Sequence, residues 1–128
     1  MNNTIYFSKV IQKLLDKEEI KKHVNNKIYP LIAPLSTTFP YIVYQRNDNQ
    51  SFTKDNQYQS ELTYNIIVVA EDYDTSLIIA DAIISELDGK RNLNIDEYKI
   101  ASIRLSGTSE NYNDAYLQQL TFIFKVNK

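Results

Sequence analysis

The stretch from Ile28 to Arg46, I-Y-P-L-I-A-P-L-S-T-T-F-P-Y-I-V-Y-Q-R, constrains the fold more than any other part of the chain. It holds all three prolines, at 30, 34 and 40. Proline fixes φ and pushes the preceding residue out of the helical region, so Tyr29, Ala33 and Phe39 are biased towards extended conformations. A proline-rich, extended connector over 28–40 is therefore predicted, running into a strand over 41–46 whose residues are mostly β-branched or aromatic. So apolar a segment has to lie against the rest of the protein, and its prolines keep it from doing so as a helix.

Two helices follow from spacing. Ile5, Phe7, Val10, Ile11, Leu14 and Leu15 recur at helical intervals with Lys9, Gln12, Lys13 and Asp16 between them, which predicts an amphipathic helix over 4–18 capped by Asn3 or Thr4. A short solvated continuation to Asn25-Asn26 carries Ile20 and Val24 inward. The second helix, over 75–88, has Leu77, Ile78, Ala80, Ile84 and Leu87 as its main stripe, widened by Ile79 and Ile83. Acidic and capping residues from Glu71 to Ser76 precede it, and Gly89 can close it in the left-handed conformation.

Alternation predicts the remaining strands. In 60–71, Leu62, Tyr64, Ile66, Val68 and Ala70 share one face. Strands over 98–106 and 115–126 are joined through the polar turn region Gly107 to Asp114 as a hairpin, while 92–97 reads as a connector. Between the first two strands lies a polar loop over 47–59, too long for a tight turn. The expected architecture is α+β in the order α-β-β-α-β-β: two helices on one face of a largely antiparallel four-stranded sheet, forming one domain over 1–128. Tyr41, Tyr44, Tyr64, Leu77 and Ile84 are assigned to its core.

Composition narrows function mostly by exclusion. Fourteen basic and sixteen acidic residues leave a net charge of −2, too little positive field for nucleic acid to be a primary ligand. Without cysteine, thiol redox chemistry, disulfides and cysteine metal sites are excluded. The opening Met-Asn-Asn-Thr lacks a basic region followed by an apolar core, and no run approaches the roughly 20 apolar residues of a membrane span, so neither a signal peptide nor a membrane partner is expected.

Chemistry-bearing clusters are also missing. His23 stands alone in a lysine-rich stretch and reads as a solvated histidine, not a base or ligand. Asp72 and Asp74, with the more distant Glu61, Glu110 and Asp114, could be imagined as carboxylates for magnesium or glycoside chemistry, but a helix start wants acid at 72 and 74 in any case. Gly89 and Gly107 are too far apart to build a phosphate-cradling loop. Residues of these types favour a protein whose function is a surface, with no cofactor, metal or catalytic site. A small-molecule-binding or regulatory α+β domain is the alternative from another class; it would need a concave apolar pocket with converging polar groups. A metal-dependent nuclease or hydrolase is a third, and none of the spacings asks for it.

Ile28-Tyr29-Pro30 with Ala33-Pro34, followed by Pro40-Tyr41-Ile42-Val43-Tyr44-Gln45, resembles the pattern of small tailed-bacteriophage and prophage tail-completion proteins, which join head to tail and are similar to tail terminators. The leading helix, the strand Leu62 to Ala70, the segments Ile79-Ala80-Asp81-Ala82-Ile83 and Leu87-Asp88-Gly89, and the closing Leu120-Thr121-Phe122-Ile123-Phe124 follow the family in order and spacing, so the resemblance covers nearly the whole chain. Leu35-Ser36-Thr37-Thr38-Phe39 departs from it, standing where a more polar loop is expected.

The resemblance implies a non-enzymatic structural protein that forms a ring, commonly a hexamer, at the head-proximal end of the tail tube. Its partners would be further copies of itself, the tail tube protein and head-tail connector proteins. It would work in the bacterial host cytoplasm during assembly and then in the virion, at the head-tail interface. A ring needs two different complementary patches per subunit. Candidates for contacts to neighbouring copies or partners are Arg46, Asp48, Lys54 and Asp55 in and beside the polar loop, and Ile79 and Ile83, which overfill the apolar band of the second helix.

Overall fold

The computed structural model describes residues 4–47 and 59–127, the side chain of Gln59 excepted. A 3-10 turn, Thr4–Tyr6, leads into α1 (Phe7–Leu15) and α2 (Glu18–Val24); β1 (Ile28–Pro30), β2 (Tyr41–Arg46) and β3 (Gln59–Ala70) follow. After them come α3 (Tyr73–Leu87), β4 (Arg91–Ile95), β5 (Tyr98–Tyr112) and β6 (Tyr116–Asn127). The strands form one six-stranded curled sheet in the order β1-β2-β3-β6-β5-β4, with β1 parallel to β2 and every other pair antiparallel.

This corrects the expected four-stranded sheet and its α-β-β-α-β-β order, and the two additional strands have identifiable causes. β1 is three residues ending in proline, too short to carry a period. Its edge position is one that proline tolerates. The 31–40 segment returns from it to β2, and the Leu31 amide donates to the Tyr44 carbonyl at 2.8 Å. β4, predicted as a connector, contains only Leu93 and Ile95 as half-buried alternating residues. It turns into β5 through Asp96-Glu97, with Ile95 opposite Tyr98 and Asp96 at φ 55°, a left-handed conformation that aspartate tolerates in two-residue hairpin turns.

The predicted helix over 4–18 divides in two. Asp16 and Lys17 break it, and Lys17 is extended at φ −97°, ψ 144°. α2 then brings Ile20 and Val24 into the core, both fully buried. Asn25 and Asn26 end it in the left-handed region, at φ 53° and 64°. In the β5–β6 hairpin, pairing continues through Tyr112–Tyr116, so that β5 takes up most of the expected turn region from Gly107 to Asp114. Register shifts at Ile100/Ser102 and Leu105/Gly107 insert extra residues into β5, a feature that bends a strand and raises its twist.

A single core gathers residues of all three helices and of every strand's inward face. Phe7, Val10, Ile11, Leu14 and Leu15 are buried from α1. They meet Ile42, Tyr44, Leu62, Tyr64, Ile66, Val68, Phe122 and Phe124 of the sheet. The Phe7 ring lies edge-on to Tyr98 and Phe124, with centroids 5.3 and 5.5 Å apart, the geometry aromatic quadrupoles favour. Two hydroxyls fix α1 on the sheet: Tyr44 donates to Gln12 Oε1 at 2.7 Å, and Tyr64 and Ser8 share a bond of 2.8 Å.

In α3 the buried residues are Ser76, Ile79, Ala80, Ile83 and Leu87, a regular i, i+3, i+4, i+7, i+11 stripe. The stripe expected from Leu77 and Ile78 is therefore corrected: these two lie outside, 40% and 56% exposed. Ile84 packs partly buried against the core. With apolar residues filling 77–80 on every side, periodicity gave no direction, and the position of the buried Ser76 settles the phase. Gly89, at φ +82°, takes the left-handed conformation expected of it, and its amide donates to the Ile103 carbonyl at 2.9 Å.

Candidate assembly surface

Large apolar side chains reach solvent in two places, along the β1–β2 edge of the sheet and where α3 begins and the β5–β6 hairpin turns. The first surrounds the 31–40 segment. Leu31, Ile32 and Leu35 are 71%, 79% and 107% exposed, and Ile5 and Tyr6 of the amino-terminal turn are more than half exposed. Leu31 has φ 65°, a left-handed backbone that costs a γ-branched residue about 1–2 kcal/mol. Two short bonds hold it there: its own amide to Tyr44, and the Ile32 amide to the Pro30 carbonyl at 2.7 Å. Further along, Thr37 donates from both its amide and its hydroxyl to the Pro34 carbonyl, and Lys27 Nζ reaches Thr38 Oγ1 and its carbonyl at 3.0 and 2.8 Å. Phe39 stacks on Tyr41 at 6.0 Å with ring planes 9° apart. An apolar strap is thus held rigidly outward.

Arg46 stands where the strap leaves β1, near Leu31. Its Nη1 donates to the Ile5 carbonyl at 3.2 Å, tying the amino-terminal turn to β2, and it lines a cleft of about 250 Å³ with Ser8, Pro30, Leu31, Tyr44 and Gln45. Burial raises the Tyr64 hydroxyl above its ordinary pKa, against the Ser8 bond and the nearby Arg46 charge, which lower it. Tyr64 is thus a neutral, buried anchor under α1.

The second exposed set lies where α3 begins and the β5–β6 hairpin turns. Tyr73 is 42% and Tyr112 60% exposed, with Leu77 and Ile78 one turn along the helix. The Tyr112 and Tyr116 rings meet at 4.8 Å, and Tyr73 adds a third ring 5.8 Å from Tyr116. Tyr73 donates to the Glu110 carboxylate at 2.9 Å; that bond, with burial and the charges of Glu110 and Asp74, raises its pKa. Beneath it, Ser76 donates to the Tyr73 carbonyl at 2.6 Å and receives the Gln118 amide at 3.2 Å. Tyr73, Glu110, Tyr112, Tyr116 and Gln118 also line a cleft of about 250 Å³. Both clefts fall below the roughly 300–1,000 Å³ of small-ligand sites.

Of the residues predicted to make contacts, Arg46 is exposed and adjoins the strap, whereas Ile79 and Ile83 are core residues, 1% and 0% exposed. Asp48, Lys54 and Asp55 lie outside the described residues. Sequence reasoning missed the strap's leucines and the tyrosine cluster. Leu35, the departure from the family pattern, was the available signal for the former; the latter joins residues about forty positions apart and had none. Asp72 caps α3, accepting from the Thr75 amide and hydroxyl at 2.8 and 2.9 Å, and these bonds lower its pKa. Among the described residues, no three His, Cys, Asp or Glu side chains gather as a metal site, and no helix is long and apolar enough to cross a membrane.

No protein-family model matches the chain, and no curated protein matches it in sequence. Among solved structures it is similar to a chain of the virion of a native gene transfer agent particle, with a TM-score of 0.76 at 16% identity over 93% of this chain and 92% of that one. At that identity the likeness shows the fold, shared nearly from end to end.

Proposed function

We propose that this chain is a non-enzymatic structural protein of a phage or phage-derived particle, which closes the head-proximal end of the tail tube as a ring and helps join tail to head. The end-to-end fold likeness to a chain of a gene transfer agent virion carries the reading. Two exposed apolar surfaces on different parts of the molecule, the β1–β2 edge and the α3–hairpin end, support it, because a subunit in a closed ring must offer two different patches. Six copies is the number the family resemblance implies. The partners are further copies, the tube protein and the head connector, and assembly takes place in the host cytoplasm before the protein takes its place at the head-tail junction.

Within such a ring, Arg46, Asp48, Lys54 and Asp55 are proposed as charged contacts between subunits or towards the lumen. Charged rim groups set register more than affinity. Leu77 and Ile78 take the contact role on α3, since they reach solvent and Ile79 and Ile83 do not. Light scattering over a concentration and salt series tests the reading, alone and with polymerised tube protein from the same genome. A closed species is expected, at six times the 14.9 kDa of one chain if the implied number holds. A monomer throughout, unchanged by tube protein, contradicts it.

A further inference from the structure

The two exposed surfaces differ in charge as sharply as in position. From Glu71 to Gly89 and from Ser106 to Leu120 the chain holds eight acidic residues and no lysine or arginine. Both stretches meet at the tyrosine cluster, where Asp74 and Glu110 flank Tyr73. Around the strap the sign reverses. Lys27 and Arg46 bound a stretch without one acidic residue, and Thr4 to Leu15 contains Lys9 and Lys13 and again no acid. Lys13 is already paired with Asp96 at 2.6 Å, and the strap runs between Lys27, whose carbonyl accepts from the Ile42 amide, and Arg46 at the other end of β2.

Sheet order keeps the two surfaces of one copy apart. The strap flanks β1 and β2 while the hairpin belongs to β6 and β5, so β3 lies between them, about 10 Å or more at strand spacing. Like surfaces of two copies would bring equal charges together, which disfavours a two-fold pairing, whereas unlike surfaces attract and fix register. We infer that the strap of one copy docks head-to-tail on the α3 and hairpin surface of the next, with Leu31, Ile32 and Leu35 packed against Tyr73, Leu77, Ile78 and Tyr112 and with Arg46, beside Leu31, facing Asp74 and Glu110. The left-handed Leu31 fits this, because strain is kept where an outward side chain is needed. This inference rests on the assembly reading above and specifies which surfaces meet.

The chain has no cysteine, so directed cross-linking tests the contact without background. Leu31→Cys in a tagged chain and Ile78→Cys in an untagged one are mixed and treated with a short bis-maleimide, with Leu35→Cys and Tyr112→Cys as an independent pair. All four positions are exposed, and circular dichroism of each variant checks that it folds. The heterodimer product is expected in about tenfold excess over either homodimer, falling several-fold in high salt as the charges are screened. Homodimers equal to heterodimers would overturn the head-to-tail contact, a salt-independent yield would overturn the charge argument, and no product with either pair would mean that something other than a second copy covers these surfaces. Failure of the capping role is read separately, from tail length: a heterodimer product with normal tails in a strain lacking the protein would leave the contact standing and remove the role.

Discussion

Leu31 is a γ-branched residue at φ 65°, and it is 71% exposed. Nothing in the monomer's own packing calls for leucine there. Leu31→Asn, which the left-handed region tolerates, is therefore expected to leave the melting temperature unchanged or higher while weakening self-association; a clear loss of thermal stability would show that leucine serves the fold. Asp72 tests the opposite case, a residue with a purely local role. Its carboxyl is more acidic in the folded chain than the ordinary 3.8 because it accepts first the Thr75 amide and then the Thr75 hydroxyl. A carboxyl with a lowered folded pKa stabilises above its unfolded value and loses that contribution as the pH falls through the folded one. Asp72→Ala should thus melt below the parent protein at neutral pH, and thermal scans should show the gap closing only as the pH falls below 3.8. This cap was legible in the sequence, since D-Y-D-T-S ahead of an apolar run states its own chemistry.

At the scale of elements, legibility followed burial. β2, β3 and β6 alternate because one face of each is covered by helices, and their positions were readable to within a residue or so. β1, β4 and the outer half of the β5–β6 hairpin were not, because they are held by backbone pairing at the edge of the core, where no apolar period is imposed. α3 failed differently: its existence was plain and its orientation was not, since Leu77 and Ile78 are apolar although they reach solvent. The attachment of α1 gives a graded test. Tyr64→Phe removes the Ser8 bond and should cost about 1 kcal/mol, whereas Tyr64→Ala, at a fully buried position between Phe7 and Phe124, should cost about 3–5 kcal/mol. Chemical denaturation separates the two, and equal losses would contradict the packing described. Tyr112→Ser at the hairpin tip removes the Tyr116 ring contact, so it should cost no more than about 1 kcal/mol of stability while lowering the oligomer mass.

For the whole molecule, the sheet acts as a spacer between two unlike surfaces. The candidate surface was only partly legible for that reason: Arg46 was identified from its neighbourhood, but the tyrosine cluster exists only once β5, β6 and α3 have come together. The central claim is that this chain caps a tail tube, and electron microscopy of particles made by a phage or prophage genome from which it has been deleted tests it most directly. The expected result is tubes of unregulated length without heads, with regular tails restored by the intact gene. Tails of normal length still joined to heads in the deletion strain would contradict it.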